Sequence, residues 1–210
     1  MYSIGKDERS LTSAGSHPTL RRRIAVTLAA GVAVLALGAC GSDDGAGNPD
    51  SELSAQEATK PLEGAPPELS AIREQANQLL EGGTDAFEAR LAELRGTPVV
   101  VNKWASWCGP CRLEFPFFQS LAQRRGAEIA FLGVDSNDAE DAAATFLEQL
   151  PLPYPSYLDP DQDVAAVIGA PANFPATAFY AADGELVHTR QGGYASEADL
   201  LADIETYLGG

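Results

Sequence analysis

Basic side chains are scarce in this chain, and their scarcity excludes whole classes of function. The 210 residues include 14 lysines and arginines against 30 acidic residues, which gives a formal net charge of −16. Phosphate backbones are bound by clustered cations, so we expect no nucleic-acid partner. Only two histidines are present, which excludes a histidine-rich metal site. We therefore expect neither a metal nor a cofactor.

Cysteine is equally sparse. The three cysteines, Cys40, Cys108 and Cys111, are too few for a fold held together by disulfides, and their odd number requires an explanation. The hydrophobic fraction of 45% is nevertheless enough for a buried core, so the chain is not disordered throughout. The length permits one sizeable domain with extensions, or two small domains.

The first 39 residues have the pattern of an export signal. Three arginines, Arg21–Arg23, precede an uncharged run of 16 residues, Ile24–Ala39. That run is shorter than the roughly 20 apolar residues that span a bilayer. A cationic stretch followed by a short apolar stretch and small residues is typical of a secretory signal. An uncleaved N-terminal anchor is the alternative, and the arginine triplet leaves the twin-arginine export route open.

The apolar run ends in Leu37-Gly38-Ala39-Cys40, which resembles the lipobox of bacterial lipoproteins. The resemblance implies that Cys40 is lipidated and becomes the first residue of the mature chain. Such a protein is exported and anchored by its lipid to the outer face of the cell membrane. Lipidation would also account for the odd cysteine, because Cys108 and Cys111 then remain as a pair.

Composition divides the rest of the chain into two parts. Residues 40–67 are rich in glycine, serine, proline and acids, with few large apolar side chains, so we predict a lipidated flexible linker there. Residues 68–210 contain the periodic apolar patterns of a folded domain.

Within this domain, helical and strand patterns succeed one another. The predicted helices are Ser70–Leu80, Asp85–Leu94, and three more that begin near Cys108, Asp138 and Ser196. The predicted strands are Val99–Val101, Ile129–Val134, Thr177–Tyr180 and Leu186–Gln191, the last two joined by the turn at Asp183-Gly184. This order predicts an α/β domain with a mixed sheet and helices on both faces.

The segment Trp107-Cys108-Gly109-Pro110-Cys111 is the candidate chemical centre. Residues three apart on a helix share a face, so the two cysteines can close a small disulfide. If Cys108 begins the helix, free backbone N–H groups and the helix dipole favour its thiolate. Pro110 fits the first helical turn, and Gly109 leaves the sulfur uncovered. We predict that Cys108 exchanges disulfides with a partner and that Cys111 resolves the mixed disulfide.

Three other interpretations of the cysteine pair remain open: half of a zinc site, an inert structural disulfide, and an unreactive buried pair. A zinc site lacks ligands, since the chain has no second CxxC and His188 alone cannot complete four. A disulfide across so short a loop adds little entropic stabilisation. The export signal favours the redox interpretation, because oxidising compartments are where exchange chemistry is needed.

Residues 99–116, VVVNKWASWCGPCRLEFP, resemble the active-site segment of the thioredoxin superfamily. They are similar to its membrane-tethered, extracytoplasmic TlpA/ResA-like branch, which includes cytochrome c maturation proteins. Asn102 in place of thioredoxin's buried acid, the CRxExP pattern, and Phe174–Phe179 followed by Asp183-Gly184 carry this resemblance. It covers about residues 95–210 and implies a thioredoxin-like, three-layer α/β/α fold with a mixed central sheet.

The resemblance also implies roles for the residues around the cysteines. Pro175 is expected to be a cis-proline beside the disulfide that presents the backbone of Phe174 to an extended substrate peptide. Trp107 is expected to shield the sulfurs and contact substrate, with a core position as the alternative. Glu114 is expected either to take part in proton transfer to the thiols or to be a solvated acid on the helix face.

Lys103 departs from the branch, which usually has an aromatic residue between Asn102 and Trp104. A lysine at this position is expected to extend to solvent or to pair with an acid. If its ammonium approaches the disulfide, it would favour the thiolate of Cys108.

The whole pattern predicts a membrane-anchored thiol–disulfide oxidoreductase. Its expected partners are the thiols or disulfides of exported proteins, such as apocytochrome c, and a membrane electron donor or acceptor. Reduction is favoured over oxidation, because a Gly-Pro pair between the cysteines resembles reducing thioredoxins. A disulfide-forming oxidase and a non-catalytic binding or chaperone module remain alternatives. A peroxide-reducing enzyme is disfavoured, because the chain lacks a PxxxTxxC motif.

Overall fold

The computed structural model describes residues 53–209. The predicted signal peptide and Cys40 lie outside these residues. The strands are β1 Leu79–Leu80, β2 Val99–Trp104, β3 Ala130–Ser136, β4 Ser156–Asp159, β5 Ala176–Tyr180 and β6 Leu186–Gln191. The helices are α1 Ala55–Ala58, α2 Pro67–Glu74, α3 Gly83–Glu93, α4 Gly109–Arg125, α5 Glu140–Gln149, α6 Asp163–Val167 and α7 Glu197–Leu208.

The six strands form one mixed sheet in the order β1-β4-β3-β2-β5-β6. The first four strands in this order are parallel to their neighbours, and β5 pairs antiparallel with both β2 and β6. Strands β2 and β3 are buried along their whole length. Continuous apolar runs suit such central strands, because both of their faces are covered. The predicted mixed sheet is confirmed.

Alternate side chains of β2 reach opposite faces of the sheet, and they show how the helices are arranged. Trp104 packs against Phe115 of α4 and Phe146 of α5. Lys103, the residue before it, contacts the loop that follows α6. The helix that begins at the cysteines therefore lies on the opposite face from α6, as the predicted two-faced arrangement requires.

The region before β2 differs from the prediction of one helix over Ser70–Leu80. Helix α2 ends at Glu74, and Leu79–Leu80 is instead the edge strand β1, which pairs with β4. The change of direction occurs at Asn77, whose φ of 62° lies in the left-handed region. The Asn77 side chain also binds the C-terminal part of α5 and the chain just beyond it, donating to Leu147 O and accepting from Leu152 N. Those partners lie far along the chain, so local periodicity did not reveal them.

The predicted linker also ends earlier than residue 67. Residues 53–67 contain α1 and pack against the end of α4. Gln123 donates a hydrogen bond to Glu57 O at 2.7 Å, and the buried Arg73 donates one to Lys60 O at 3.1 Å. Side chains of α4 and α2 thus satisfy backbone carbonyls of a segment whose own composition has little to bury. Within residues 53–209, no helix has the length and apolar character needed to cross a membrane.

Candidate active site

Cys108 and Cys111 form a disulfide at the start of α4, with their Cα atoms 5.3 Å apart. Cys108 is the residue that caps this helix, and its Sγ accepts a hydrogen bond from Cys111 N at 3.2 Å. Gly109 begins the helix, and Pro110 lies in the first turn, where its missing N–H costs no hydrogen bond. The predicted position of the pair at a helix N-terminus is therefore confirmed.

The two cysteines differ in solvent exposure. Cys111 is completely buried, whereas Cys108 retains 4% of its surface. A Cβ placed on Gly109 would meet no other part of the described chain within 4 Å, so the space above the first turn is open. An attacking sulfur therefore has access to the Cys108 side of the disulfide and not to Cys111.

Trp107 stands beside the disulfide with 56% of its surface exposed, which excludes the alternative of a core position. Its indole N–H donates to Asn137 O at 2.9 Å, and its ring centroid lies 4.8 Å from that of Phe174. The Phe174–Pro175 peptide bond is cis, as predicted. The loop before β5 and the active-site loop thus meet through two aromatic rings.

Glu114 is fully buried beneath the active-site helix, so the alternative of a solvated helix-face acid is wrong. Its carboxylate accepts hydrogen bonds from Asn102 Nδ2 at 2.9 Å and from Tyr194 N at 3.1 Å. Burial raises the pKa of Glu114 to about 7, and the two hydrogen bonds only partly oppose this rise. The carboxyl group can therefore exchange a proton near neutral pH.

Lys103 neither extends to solvent nor pairs directly with an acid, so both predictions for its side chain are wrong. Its side chain is fully buried, and none of the ion pairs formed within residues 53–209 involves it. The ammonium instead donates to the carbonyls of Ala170 at 2.7 Å and Asn173 at 3.2 Å. Burial lowers the pKa of Lys103 to about 8, with a smaller opposing effect from the carboxylate of Asp159. Backbone dipoles thus take the place of solvent or of an acidic partner.

Asp135 is a buried acid that sequence reasoning did not single out. It lies near the end of β3 opposite Trp104, and within residues 53–209 neither of its carboxyl oxygens has a hydrogen-bond partner. Burial, followed by the nearby carboxylates of Asp138 and Asp159, raises its pKa to about 8. Its position as an acid directly after the apolar run Ala130–Val134 of a fully buried strand was the available signal.

Asp138 lies between the carboxyl group of Asp135 and the active-site loop, and it interacts with both. Its carboxylate accepts hydrogen bonds from the backbone N–H of Ser106 and from Ser106 Oγ, the latter at 2.9 Å. It also accepts one from the N–H of Ala139 at 2.8 Å. Asp138 therefore holds the turn that leads into Trp107 as well as the start of α5.

Replacing Asp135 with asparagine is expected to flatten the dependence of stability on pH. The pKa of Asp135 rises from an ordinary 3.8 to about 8 on folding, so the folded protein binds this proton more tightly. Its stabilising contribution is complete below pH 3.8 and is lost as pH rises towards 8. The wild type should lose stability relative to Asp135→Asn in this window, by up to about 1.4 kcal/mol per pH unit. Urea denaturation of both proteins at pH 5 and pH 8 measures the difference, and parallel losses would contradict the assignment.

A helix-capping disulfide after the central strand, facing a cis-proline before an antiparallel strand, is how thioredoxin-fold proteins build their redox centre. The chain is a thioredoxin-superfamily protein of the ResA/TlpA-like kind. More specifically, the family model described as Redoxin matches residues 64–206. The chain therefore belongs to the Redoxin family.

Known relatives agree with this assignment. The thiol-disulfide oxidoreductase ResA of Oceanobacillus iheyensis is 30% identical over 129 residues, which are 59% of this chain and 62% of the relative. The chain thus spans less than two thirds of that relative's length. ResA of Bacillus thuringiensis is 26% identical over 144 residues, covering 67% of this chain and 79% of the relative. A crystal structure from Chlorobium tepidum, assigned as a thiol:disulfide interchange protein DsbE, has a TM-score of 0.52 and 26% identity, covering 57% of this chain and 85% of its own.

Proposed function

We propose that the protein is a membrane-anchored, extracytoplasmic thiol–disulfide oxidoreductase that exchanges its Cys108–Cys111 disulfide with exported proteins. The observation that carries the proposal is the disulfide itself, formed at a helix N-terminus with only Cys108 accessible. The two ResA relatives of this chain bear the name of thiol-disulfide oxidoreductases. An inert structural disulfide would need neither the open space above Gly109 nor the exposed Trp107.

In the reducing direction, the reduced protein begins the exchange. The Cys108 thiolate attacks one sulfur of the substrate disulfide, forming a Cys108–substrate disulfide while the other substrate sulfur leaves as a thiolate and takes a proton. The Cys111 thiolate then attacks Cys108 Sγ, which releases the second substrate thiol. The substrate gains two electrons, and the Cys108–Cys111 disulfide is restored. A membrane electron donor must reduce this disulfide before the next cycle.

Three groups support these steps in the proposal. The N–H of Cys111 already points at Cys108 Sγ, and with the helix dipole it stabilises the attacking thiolate. Glu114, with a pKa of about 7, is placed to take up or supply the proton of the buried thiol. Trp107 and the backbone of Phe174 form the surface on which an extended substrate peptide lies.

Anchoring of the domain is proposed from the sequence. The lipobox-like Leu37–Cys40 places a lipid on Cys40, so the chain from residue 41 onwards would lie outside the cell membrane. Because residues from 53 onwards pack against the domain, the flexible linker shortens to about residues 41–52. At roughly 5–6 Å × √n, a linker of this length has a typical end-to-end distance of about 20 Å. Apocytochrome c, or another exported protein with a disulfide, is the proposed substrate.

The direction of electron flow is tested by the equilibrium redox potential of the Cys108–Cys111 pair in the full-length protein. We expect a value near the roughly −270 mV of thioredoxin, which would make the protein a reductase that depends on a membrane donor. A value near the roughly −120 mV of strong oxidants, together with a Cys108 pKa well below 7, would instead indicate a disulfide donor. A pair that exchanges with no thiol would exclude both and leave the non-catalytic binding module.

A further inference from the structure

Lys103 lies at the centre of a cage made by the loop that carries the cis-proline. Its Nζ donates to Ala170 O at 2.7 Å, to Asn173 O at 3.2 Å and, at the longer distance of 3.5 Å, to Pro171 O. The ring of Phe174 covers another side, with its centroid 3.8 Å from Nζ. An ammonium has three protons, so these carbonyls and the aromatic face satisfy all of its bonding capacity.

Beyond Ala170, whose N–H donates to Ala165 O at 2.8 Å, the same loop makes few other polar contacts. Outside the regular elements of residues 53–209, no backbone–backbone hydrogen bond uses residues 171–174. The first ladder pair of β5 begins only at Ala176. Within residues 53–209, Asn173 Nδ2 also donates a hydrogen bond to Gln191 Oε1 of the neighbouring strand at 2.8 Å, but both of these residues are exposed. The hydrogen bonds from the buried Lys103 ammonium are therefore the main polar contacts that hold this loop in place.

The cage continues directly to the active site. Phe174 lies between the Lys103 ammonium and the exposed Trp107 ring, with which its own ring is in contact. The residue after Phe174 is the cis-proline. Displacement of residues 171–174 would therefore move both the Phe174 ring and the Phe174 backbone, without changing the chemistry of the sulfurs.

Burial makes the contact between the Lys103 ammonium and the loop carbonyls costly in free energy and sensitive to substitution. A fully buried ammonium is expensive, and the carbonyl dipoles that it contacts offset the cost, with a smaller contribution from the carboxylate of Asp159. Removing the ammonium leaves the carbonyls of Ala170 and Asn173 without their donor. The Ala170 carbonyl is buried, so losing its donor is costly unless water reaches it, and we expect the loop to open to admit that water.

We propose that Lys103 is a positioning residue that sets the affinity for protein substrates by holding the loop 170–174 against Trp107. This inference rests on the proposed exchange function, because it assigns the substrate-binding surface of that reaction. Lys103 acts through Phe174 and not on Cys108. This distinguishes it from a charge that lowers the Cys108 pKa directly.

The test compares Lys103→Met and Lys103→Phe in the full-length protein with the matched control Lys60→Met, which changes an exposed lysine. Each protein is first converted to its dithiol form. Its single-turnover reduction of a synthetic peptide that contains a disulfide is then followed by the tryptophan fluorescence of the protein. The half-saturating peptide concentration should rise about tenfold in both Lys103 variants. The limiting rate should change less than about threefold, and the control should match the wild type. Lys103→Phe has the aromatic residue usual in the branch, so it provides a folded variant if the methionine is not tolerated.

Two further readouts distinguish this inference from its rivals. The Cys108 pKa, measured from the pH dependence of alkylation, should move by less than about half a unit. Amide exchange at residues 172–174 should become faster in the Lys103 variants. An unchanged half-saturating concentration in a folded variant overturns the proposal. So does a rise in the Cys108 pKa by a unit with an equal loss of limiting rate. If the wild type reduces no peptide, the exchange function fails, and unchanged amide exchange would then overturn the positioning role separately.

Discussion

Substitution of Cys108 by serine is expected to abolish disulfide exchange, with a loss of more than about a thousandfold in rate. A serine hydroxyl remains protonated at neutral pH and cannot form a disulfide, so the first attack on the substrate has no nucleophile. Cys108 is the only cysteine of the pair with any exposed surface, so Cys111 cannot replace it without movement of the helix. Reduction of a peptide disulfide by the prereduced protein measures the effect.

The companion variant Cys111→Ser should behave differently, and the difference identifies the order of events. Attack by Cys108 remains possible, but no thiol is left beneath it to resolve the mixed disulfide. Cys111→Ser should therefore accumulate a covalent complex with its substrate, visible by mass spectrometry and released by added thiol. If Cys108→Ser trapped substrate and Cys111→Ser did not, the assigned roles would be reversed. Full function of Cys108→Ser would favour a non-catalytic binding module.

Both serine variants should remain folded, which makes their loss of activity interpretable. The disulfide closes a loop with a sequence separation of only three residues. So small a loop constrains the unfolded chain little, so its loss should change the free energy of unfolding only slightly. Thermal unfolding of the reduced wild type provides the matched reference, because it lacks the same bond.

Replacement of Gly133 by alanine should destabilise the domain by about 2–4 kcal/mol. Gly133 lies in the buried centre of β3, beneath the indole of Trp104. A Cβ at Gly133 would come 2.1 Å from Ser156 Oγ and 3.1 Å from Trp104 Nε1. Those two atoms form a buried hydrogen bond of 3.1 Å, so the added methyl group would separate them as well as overpack the core.

Gly109→Ala is the matched control for this prediction. It makes the same chemical change at the start of α4, where an added Cβ meets no atom within 4 Å. Urea denaturation of both variants under reducing conditions should show a large loss of stability for Gly133→Ala and little change for Gly109→Ala. Equal stabilities for the two proteins would mean that the sheet adjusts to the methyl group without cost.

The parts of the fold that sequence predicted well are those set by neighbouring residues. The helix that begins at Cys108, the hairpin of β5 and β6, and the last helix capped by Ser196 were all confirmed. In each case a capping residue, a turn pair or an apolar period within a few residues decides the conformation. The same local rules misassigned Leu79–Leu80, because two leucines suit an amphipathic helix as well as a short strand, and only pairing with β4 separates the two.

At the active site, the order of residues is enough to predict the chemistry: two cysteines lie three residues apart, and a proline lies in the first turn of the helix that begins there. Their spacing and the capping geometry are local, so they follow from the residue order alone.

The surroundings of the sulfurs depend instead on long-range contacts in the folded chain. Glu114 is buried because the N–H of Tyr194, 80 residues away, meets its carboxylate. Lys103 is caged because carbonyls 67 to 70 residues later converge on it. Every residue carries the same backbone N–H and C=O groups, so the residue types do not show which of these groups will contact a given side chain. Such contacts can be identified only in the folded structure.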